Sequence, residues 1–342
     1  MDLKGFESRK ADHLQLSLSP AMEAKGGNGL EHIHLSHDAL PELDFSQVQI
    51  ATKFWSYAAA SPFFISSMTA GHHQGESINF TLAKVAAQKK WPMGLGSQRR
   101  ELSDPQAGQE WKRLRKAAPG AYLMGNLGLA QLVHTPMDQV LKLIDNLEAA
   151  ALFIHLNPLQ EALQPEGTPH FAGGLKTLEK LCKSTKVPVI LKETGCGISS
   201  SSAQKIKKLK IKALDVSGFG GTHWGRIEGG RAPQDSLQQK GALTFAEWGE
   251  STAHSLLACK GLKGMELWAS GGIRSGLEGA KCIALGAQKV GFAKPALQAA
   301  LEGEAALGRW MEQIEFELKV ALFCTGSKSP DVLRKGKKWQ KI

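Results

Sequence analysis

Short apolar runs recur along the chain, and most of them close on glycine or a small polar residue. They occupy 61–68 (SPFFISSM), 93–97 (MGLGS), 122–127 (YLMGNL), 152–157 (LFIHLN), 187–193 (VPVILKE), 211–218 (IKALDVSG), 266–272 (ELWASGG) and 289–293 (KVGFA). Brief apolar runs bounded by turn residues are the pattern of parallel strands buried on both faces. Between them the period changes. The segment 136–150 puts Val140, Leu143, Ile144 and Leu147 on one helical face, and 245–259 and 276–285 repeat that spacing with smaller residues. A further helix is expected to begin near Ala203, after a loop over 199–202. Eight strands alternating with helices predict an α/β fold, a TIM (β/α)8 barrel. An open doubly wound sheet would use the same elements, but no GxGxxG follows the first strand. No low-complexity linker divides the chain. It reads as one domain over 1–342, with an N-terminal extension over 1–60 and a basic C-terminal tail over 325–342.

Composition narrows the class without naming a chemistry. The chain has 342 residues, 42% of them hydrophobic and 22% charged, within the range of ordinary globular proteins. No run approaches the roughly 20 apolar residues that span a bilayer, and the early charges at Asp2, Lys4, Glu7, Arg9, Lys10 and Asp12 exclude a secretory signal. Five cysteines (Cys182, Cys196, Cys259, Cys282, Cys324) are scattered and never in CxxC spacing, which argues for a reducing, cytoplasmic location and against structural zinc. The formal charge of +10 is concentrated in the tail after Lys328 and in Lys205, Lys207, Lys208, Lys210 and Lys212. Neither cluster is interleaved with aromatics as a nucleic-acid groove would be. Both read as solvated surface, and the balance suits an anionic small substrate.

In a barrel the reacting groups gather at the carboxyl ends of the strands. Those ends carry Ser67, Met68 and Thr69; Gly96, Ser97, Gln98 and Arg99; Asn126; His155 and Asn157; Lys192; Ser217; and Ser270, Gly271 and Gly272. The loops after the last two strands offer Gly271, Gly272 and Arg274, then Gly291 and Ala293, the usual place for a phosphate in this fold. Gly220, Gly221 and Thr222 add donors after the sixth strand. Lys192 ends an apolar strand, where a charge needs a partner: either a neighbouring barrel carboxylate or an electron-rich cofactor ring. The run HLNPLQE at 155–161 offers an imidazole, two amides and a carboxylate. Glu161 suits either Mg2+ or the first turn of a helix. Arg9, Lys10 and His13 share a face if their segment is helical.

Longer strings carry more information than these spacings. RKADH at 9–13, SSMTAG at 66–71, GSQR at 96–99, HLNPLQE at 155–161, KETGCGIS at 192–199, DVSGFGGTHWGRIE at 215–228 and ASGGIRSG at 269–276 resemble type II isopentenyl diphosphate isomerase, a flavin-dependent family of isoprenoid synthesis. The likeness runs in order from about residue 9 to residue 300. HLNPLQE with GSQR is specific to it, whereas SGGIR occurs across many flavin barrels.

The resemblance implies a barrel that binds FMN and interconverts isopentenyl and dimethylallyl diphosphate. It places FMN against Met68, Thr69, Ala70, Ser97, Asn126, Lys192, Ser217 and Thr222, with the phosphate near Gly271, Gly272, Arg274, Ala293 and Lys294. It places the substrate diphosphate against Arg9, Lys10, His13, Ser97, Arg99, His155 and Asn157. Gln160 would stand beside the alkene and Glu161 would bind Mg2+. An amide is a poor acid, so the resemblance assigns proton delivery to N5 of reduced FMN, with Lys192 stabilising the anionic ring and NADPH serving only to reduce the flavin. Gln160, Lys192 and His155 are the implied catalytic set. A homo-oligomer, tetramer or octamer, is implied as well, with neither nucleic acid nor membrane as partner. Two departures stand out. Ala70-Gly71 followed by His72-His73 replaces the family's glycine pair, and Phe219 and His223-Trp224 are bulky for a cofactor loop.

Three rival readings share these residues. A flavin oxidoreductase of 2-hydroxy acids would use the phosphate loops and Lys192 with a His–Arg pair, for which His223 and Arg226 are available. A nucleotide dehydrogenase would use Cys196 as nucleophile, although no activating base is evident beside it. A basic, non-catalytic binding protein would rest on the tail alone.

Overall fold

The computed structural model describes residues 3–68 and 73–342. Eight strands close a parallel barrel in chain order. They follow two short antiparallel elements, which are β1 (Ile33–Leu35) and the hairpin of β2 (Thr52–Phe54) and β3 (Tyr57–Ala59). The barrel strands are β4 (Phe63–Ile65), β5 (Met93–Gly94), β6 (Leu123–Gly128), β7 (Ala151–Leu156), β8 (Val189–Glu193), β9 (Ala213–Asp215), β10 (Glu266–Ala269) and β11 (Lys289–Phe292). Pairing of β11 with β4, Val290 opposite Phe63, completes the ring. All eight apolar runs of the sequence therefore supply a barrel strand, and the expected TIM barrel is the fold found.

Strand periodicity divides the core into two layers. One set of side chains faces the helices: Phe63, Ile65, Leu123, Leu152, Ile154, Val189, Leu191, Leu214, Leu267 and Val290 belong to one continuous apolar cluster. The alternate set, Phe64, Met124, Ala151, Phe153, Ile190, Ala213 and Trp268, forms a second cluster inside the barrel. The β2–β3 hairpin closes its floor. Phe54 packs edge-on against Phe64 and Trp268 at centroid distances of 6.2 and 5.4 Å. Two residues further along the same strands, on the same inward face, the chemistry changes. Ser66, Asn126, His155, Lys192, Asp215 and Ser270 follow Phe64, Met124, Phe153, Ile190, Ala213 and Trp268. The plug is dry and the layer above it polar.

The helices mostly follow the expected spacing, with two corrections. The 245–259 segment is helical only over Thr252–Cys259. Before it, the chain packs over the Cys196 turn, where Glu250 N donates to Cys196 O (2.8 Å), Gly249 adopts φ +149° and Ser251 caps the helix. The helix expected near Ala203 begins at Ser200, because Ser199 Oγ caps Ser202 N. The predicted faces at Met137–Leu147 and Gly276–Leu285 are buried as expected. The basic tail is folded: Pro330–Lys335 is helical, and β12 (Trp339–Lys341) pairs antiparallel with β1. No helix among the described residues is long and apolar enough to cross a membrane.

The inner plug sets the stability of the barrel. Phe153→Ala removes a fully buried ring from it and should cost about 3–5 kcal/mol in denaturant unfolding. A loss under about 1 kcal/mol would mean that the plug does not support the barrel.

Candidate active site

The polar layer is the floor of a cavity of about 420 Å³ at the carboxyl ends of the strands, a size typical of small-molecule sites. Its two sides differ in chemistry.

One side is built from bare backbone. Gly271 and Gly272 adopt φ of +100° and +70°. A Cβ on Gly271 would lie 2.1 Å from Gly218 O, and one on Gly272 would lie 2.4 Å from Gly220 O. The loops after β9 and β10 thus touch backbone to backbone, which only glycine permits. Thr252 Oγ1 fixes the second loop by donating to Gly271 O (2.7 Å). Beside it, the helix Lys294–Leu301 starts at Ala293 with no side-chain cap, leaving its positive end to the cavity. Met68, Thr222, Arg274 and Lys294 also line this side. Thr69, Ala70 and His72 lie outside the described residues. The hydroxyls of Ser66, Ser67 and Ser97 and the Asn157 Oδ1 are buried with no hydrogen-bond partner among the described residues. Buried polar atoms rarely stay unpaired, so these point to a ligand.

Three paired residues on adjacent strands cross the floor: His155 on β7 is opposite Lys192 on β8, and Lys192 is opposite Asp215 on β9. Burial pulls the Lys192 ammonium down from its usual range, and the Asp215 and Glu193 carboxylates oppose that. The carboxylate neighbour expected of Lys192 is present, and the side chain also lines the cavity. Lys192 Nζ donates to Glu193 O (2.7 Å). Ser270 Oγ lies 2.9 Å from both Asp215 oxygens, and Ser217 N donates to Asp215 Oδ1 (3.2 Å). Asp215 thereby ties together Ser217 and Ser270 and acts on Lys192 through its charge. Glu193 points the other way, as strand alternation requires, and accepts from the amides of Thr194, Gly195 and Cys196.

The opposite side is cationic. The helix Leu3–Leu18 brings Arg9, Lys10 and His13 to the cavity, and the turn Gln98–Leu102 brings Arg99. Burial, then the neighbouring guanidinium of Arg99, lowers Arg9 to about 10. Burial with Arg9 and Arg99 lowers Lys10 to about 7. His155 falls to about 3 through burial and the charges of Lys192, Lys10 and Arg99. Its Nδ1 donates to Asn126 Oδ1 (2.9 Å), so the neutral ring offers only an acceptor at Nε2. Pro158 starts the helix Pro158–Leu163 immediately after β7, which presents Gln160 and Glu161. Asn157 Nδ2 donates to both, at 3.1 Å each.

A residue that motif reading did not single out organises this side. Glu228 is fully buried. It contacts His13 Nε2 (2.9 Å), Gln160 Nε2 (2.8 Å) and Arg231 Nη1 (2.7 Å). Burial alone would raise its pKa, but hydrogen bonds from His13, Gln160 and Arg231 hold it below the usual range. Its signal was an acid placed between Ile227 and Gly229 at the end of a quoted string. Asp215 carried a comparable signal, a charge inside an apolar run. Gln98, one of the strand-end residues, has a supporting role. Its Oε1 accepts from Asn126 N (3.1 Å) and its Nε2 donates to Glu101 (2.9 Å), fixing the turn that carries Arg99.

Several residues of the rival readings are occupied elsewhere. His223 is fully buried; its Nδ1 caps the helix Trp224–Arg231 and its Nε2 lies 3.1 Å from Trp248 O. Arg226 pairs with Glu247. Neither lines the cavity, so they do not form a His–Arg pair there. Burial and Glu193 push the Cys196 thiol well up, which leaves it a poor nucleophile. The bulky Phe219 is accommodated by packing edge-on against His223, and Trp224 packs edge-on against His13. Among the described residues no group of three or more His, Cys, Asp or Glu could hold a metal. Glu161 is buried and accepts from Asn157 and from the amide and hydroxyl of Thr168, so any ion there would not be held by a cluster of carboxylates or imidazoles among the described residues.

Comparison with known proteins places this geometry. Residues 127–339 match the family model of FMN-dependent dehydrogenases. A protein of Bdellovibrio bacteriovorus named isopentenyl-diphosphate delta-isomerase is 53% identical over 329 residues, 95% of each chain. Proteins of the same name from Legionella pneumophila and a Nostoc species are 48% and 41% identical, over 96% of each chain and over 98% and 96% respectively. The chain belongs to the isopentenyl-diphosphate delta-isomerase family. Solved structures with a similar fold include a flavocytochrome b2 mutant with benzoylformate, at TM-score 0.70, 19% identity and coverage of 99% of this chain and 85% of that one. A mandelate oxidase mutant with an FMN adduct has TM-score 0.62 at 16% identity, covering 99% and 96%. At that identity the likeness is one of fold. The isomerase family therefore shares its barrel with oxidases.

The cationic side predicts a proton-coupled response to polyanions. His155 should stay neutral well below pH 6 in the ligand-free protein, titrating near 3, and inorganic pyrophosphate should raise its pKa by offsetting Lys192, Lys10 and Arg99. NMR of the imidazole resonance lost in His155→Gln reads both. The sign for folding follows: a His depressed from 6.5 to about 3 withdraws stability as pH falls through that window.

Proposed function

We propose that the protein interconverts isopentenyl and dimethylallyl diphosphate, with FMN on the glycine side of the cavity and the diphosphate on the cationic side. The observation that carries this reading is the junction of the two sides in one cavity. A glycine cradle beside buried hydroxyls suits a flavin mononucleotide, and on the other side of the same cavity, cations lowered by burial and by one another suit a second polyanion. An oxidoreductase of a small monoanion has no use for so many positive charges.

Each residue then has a task. Arg9, Lys10, His13 and Arg99 bind the diphosphate, and His155 joins them as a donor once the anion draws a proton onto its ring. Asn157 joins them at the diphosphate, and Gln160, oriented by Glu228 and Asn157, stands where the alkene would lie. Lys192, which lines the cavity, would supply positive charge to the reduced flavin, a preorganised electrostatic contribution. The helix Leu3–Leu18 covers the cavity and keeps water from the carbocation-like species between the two alkenes. Reduced FMN, when bound, supplies acid/base chemistry that moves a proton between carbons with no net redox change. NADPH serves as its reductant. Mg2+ would be held by Glu161, waters and the diphosphate. A cytoplasmic location agrees with five free cysteines. Assembly into a homo-oligomer would cover exposed Leu237, Leu243 and Trp248.

Anaerobic turnover tests the reading. With FMN, Mg2+, NADPH and isopentenyl diphosphate, dimethylallyl diphosphate should form in large excess over NADPH oxidised. No product despite bound, reducible FMN would overturn it in favour of a hydroxy-acid oxidoreductase. Gln160→Leu should lower kcat by about 10²–10⁴-fold with KM changed far less, because the amide faces the reacting carbons and not the diphosphate. An equal rise in KM would place Gln160 among the anion-binding groups instead.

A further inference from the structure

The cations assigned to the cofactor phosphate already hold an anion supplied by the chain. Glu23 follows the turn Pro20–Met22 that ends the N-terminal helix, and its side chain lines the cavity. Its Oε1 lies 2.7 Å from Lys294 Nζ, and its Oε2 pairs with Arg274 Nη2. Burial would raise the Glu23 pKa, but the two cations hold it below the carboxylate range, so it is charged at neutral pH. Lys294 Nζ also reaches Ser19 O (3.4 Å). The backbone around Glu23 is fastened to the same loop that forms the cradle. Ala24 N donates to Gly221 O (2.8 Å), and His223 N donates to Met22 O (2.9 Å). The carboxylate is therefore delivered by a fixed segment and does not hang free in solvent.

We propose that Glu23 is a resident anion of the phosphate cradle, competing with the cofactor phosphate for Arg274 and Lys294. The inference rests on FMN occupying the glycine side of the cavity. A phosphate carrying close to two negative charges that enters beside an ionised carboxylate must either share the two cations or take them over. In both cases the like charge of Glu23 weakens its binding. The segment that carries Glu23 continues directly from the helix bearing Arg9, Lys10 and His13. The cofactor-phosphate cations and the segment leading to that helix therefore meet at one carboxylate.

The test compares FMN with riboflavin, which has the same ring and no phosphate. Flavin fluorescence titrations of the full chain, wild type and Glu23→Gln, give the dissociation constants. Glu23→Gln should bind FMN about tenfold more tightly, with riboflavin changed less than about twofold, and the FMN gain should shrink in high salt as screening increases. Unchanged or weaker FMN binding, or equal tightening of riboflavin, would overturn the proposal. Glu23→Ala is measured beside it, with thermal melts of both variants. If neither folded, the carboxylate would be a structural strut and the proposal would fall. Failure of the wild type to bind FMN would contradict the functional reading itself, a separate outcome.

Discussion

Each barrel strand turns every second side chain inward, and that period of two fixes where chemistry can occur in this protein. Phe64, Phe153, Ile190 and Trp268 fill the lower barrel with apolar bulk. One inward step higher, Ser66, His155, Lys192 and Ser270 face the cavity on the same strands. The plug supplies rigidity and low polarisability, and the polar layer inherits both. His155, Lys192 and Asp215 lie side by side because adjacent strands pair in that register. Their mutual influence is a consequence of the sheet and needs no loop to arrange it.

The cationic side obeys a different constraint. Bringing buried cations together is costly unless an anion compensates them. The protein meets part of that cost with Glu228, which anchors His13 from the N-terminal helix, Gln160 from the helix after β7 and Arg231 from its own helix. Arg231 is shared further with Glu166 and Asp12. Burial, reinforced by neighbouring cations, lowers Arg9, Lys10 and His155, so an added anion would favour their charged forms. The proposed diphosphate would supply that anion.

Much of this was legible in the sequence, for physical reasons that also explain the gaps. The strands were readable because both faces of a parallel barrel are covered, which writes continuous apolar runs into the chain. Gly271 and Gly272 were readable because the left-handed backbone they adopt leaves a compositional mark. The 245–251 segment was misread as helix: its apolar residues fit a helical spacing, but Gly249 and the contact with Cys196 hold it as a loop. Glu228 and Glu23 were not singled out because each is defined by partners from distant segments, His13 and Gln160 in one case, Arg274 and Lys294 in the other. His223 and Arg226 show the converse, a pair adjacent in sequence whose contacts are spent on a helix cap and on Glu247. Local chemistry reads well from sequence; long-range charge pairing does not.

A crystal structure of the protein with FMN and isopentenyl diphosphate tests whether one cavity holds a flavin and a diphosphate side by side. The expected result is the diphosphate among Arg9, Lys10, His13, Arg99 and His155, the FMN phosphate at Gly271 and Gly272, and the alkene between Gln160 and the flavin. A diphosphate bound at the glycine cradle in place of the FMN phosphate would contradict it.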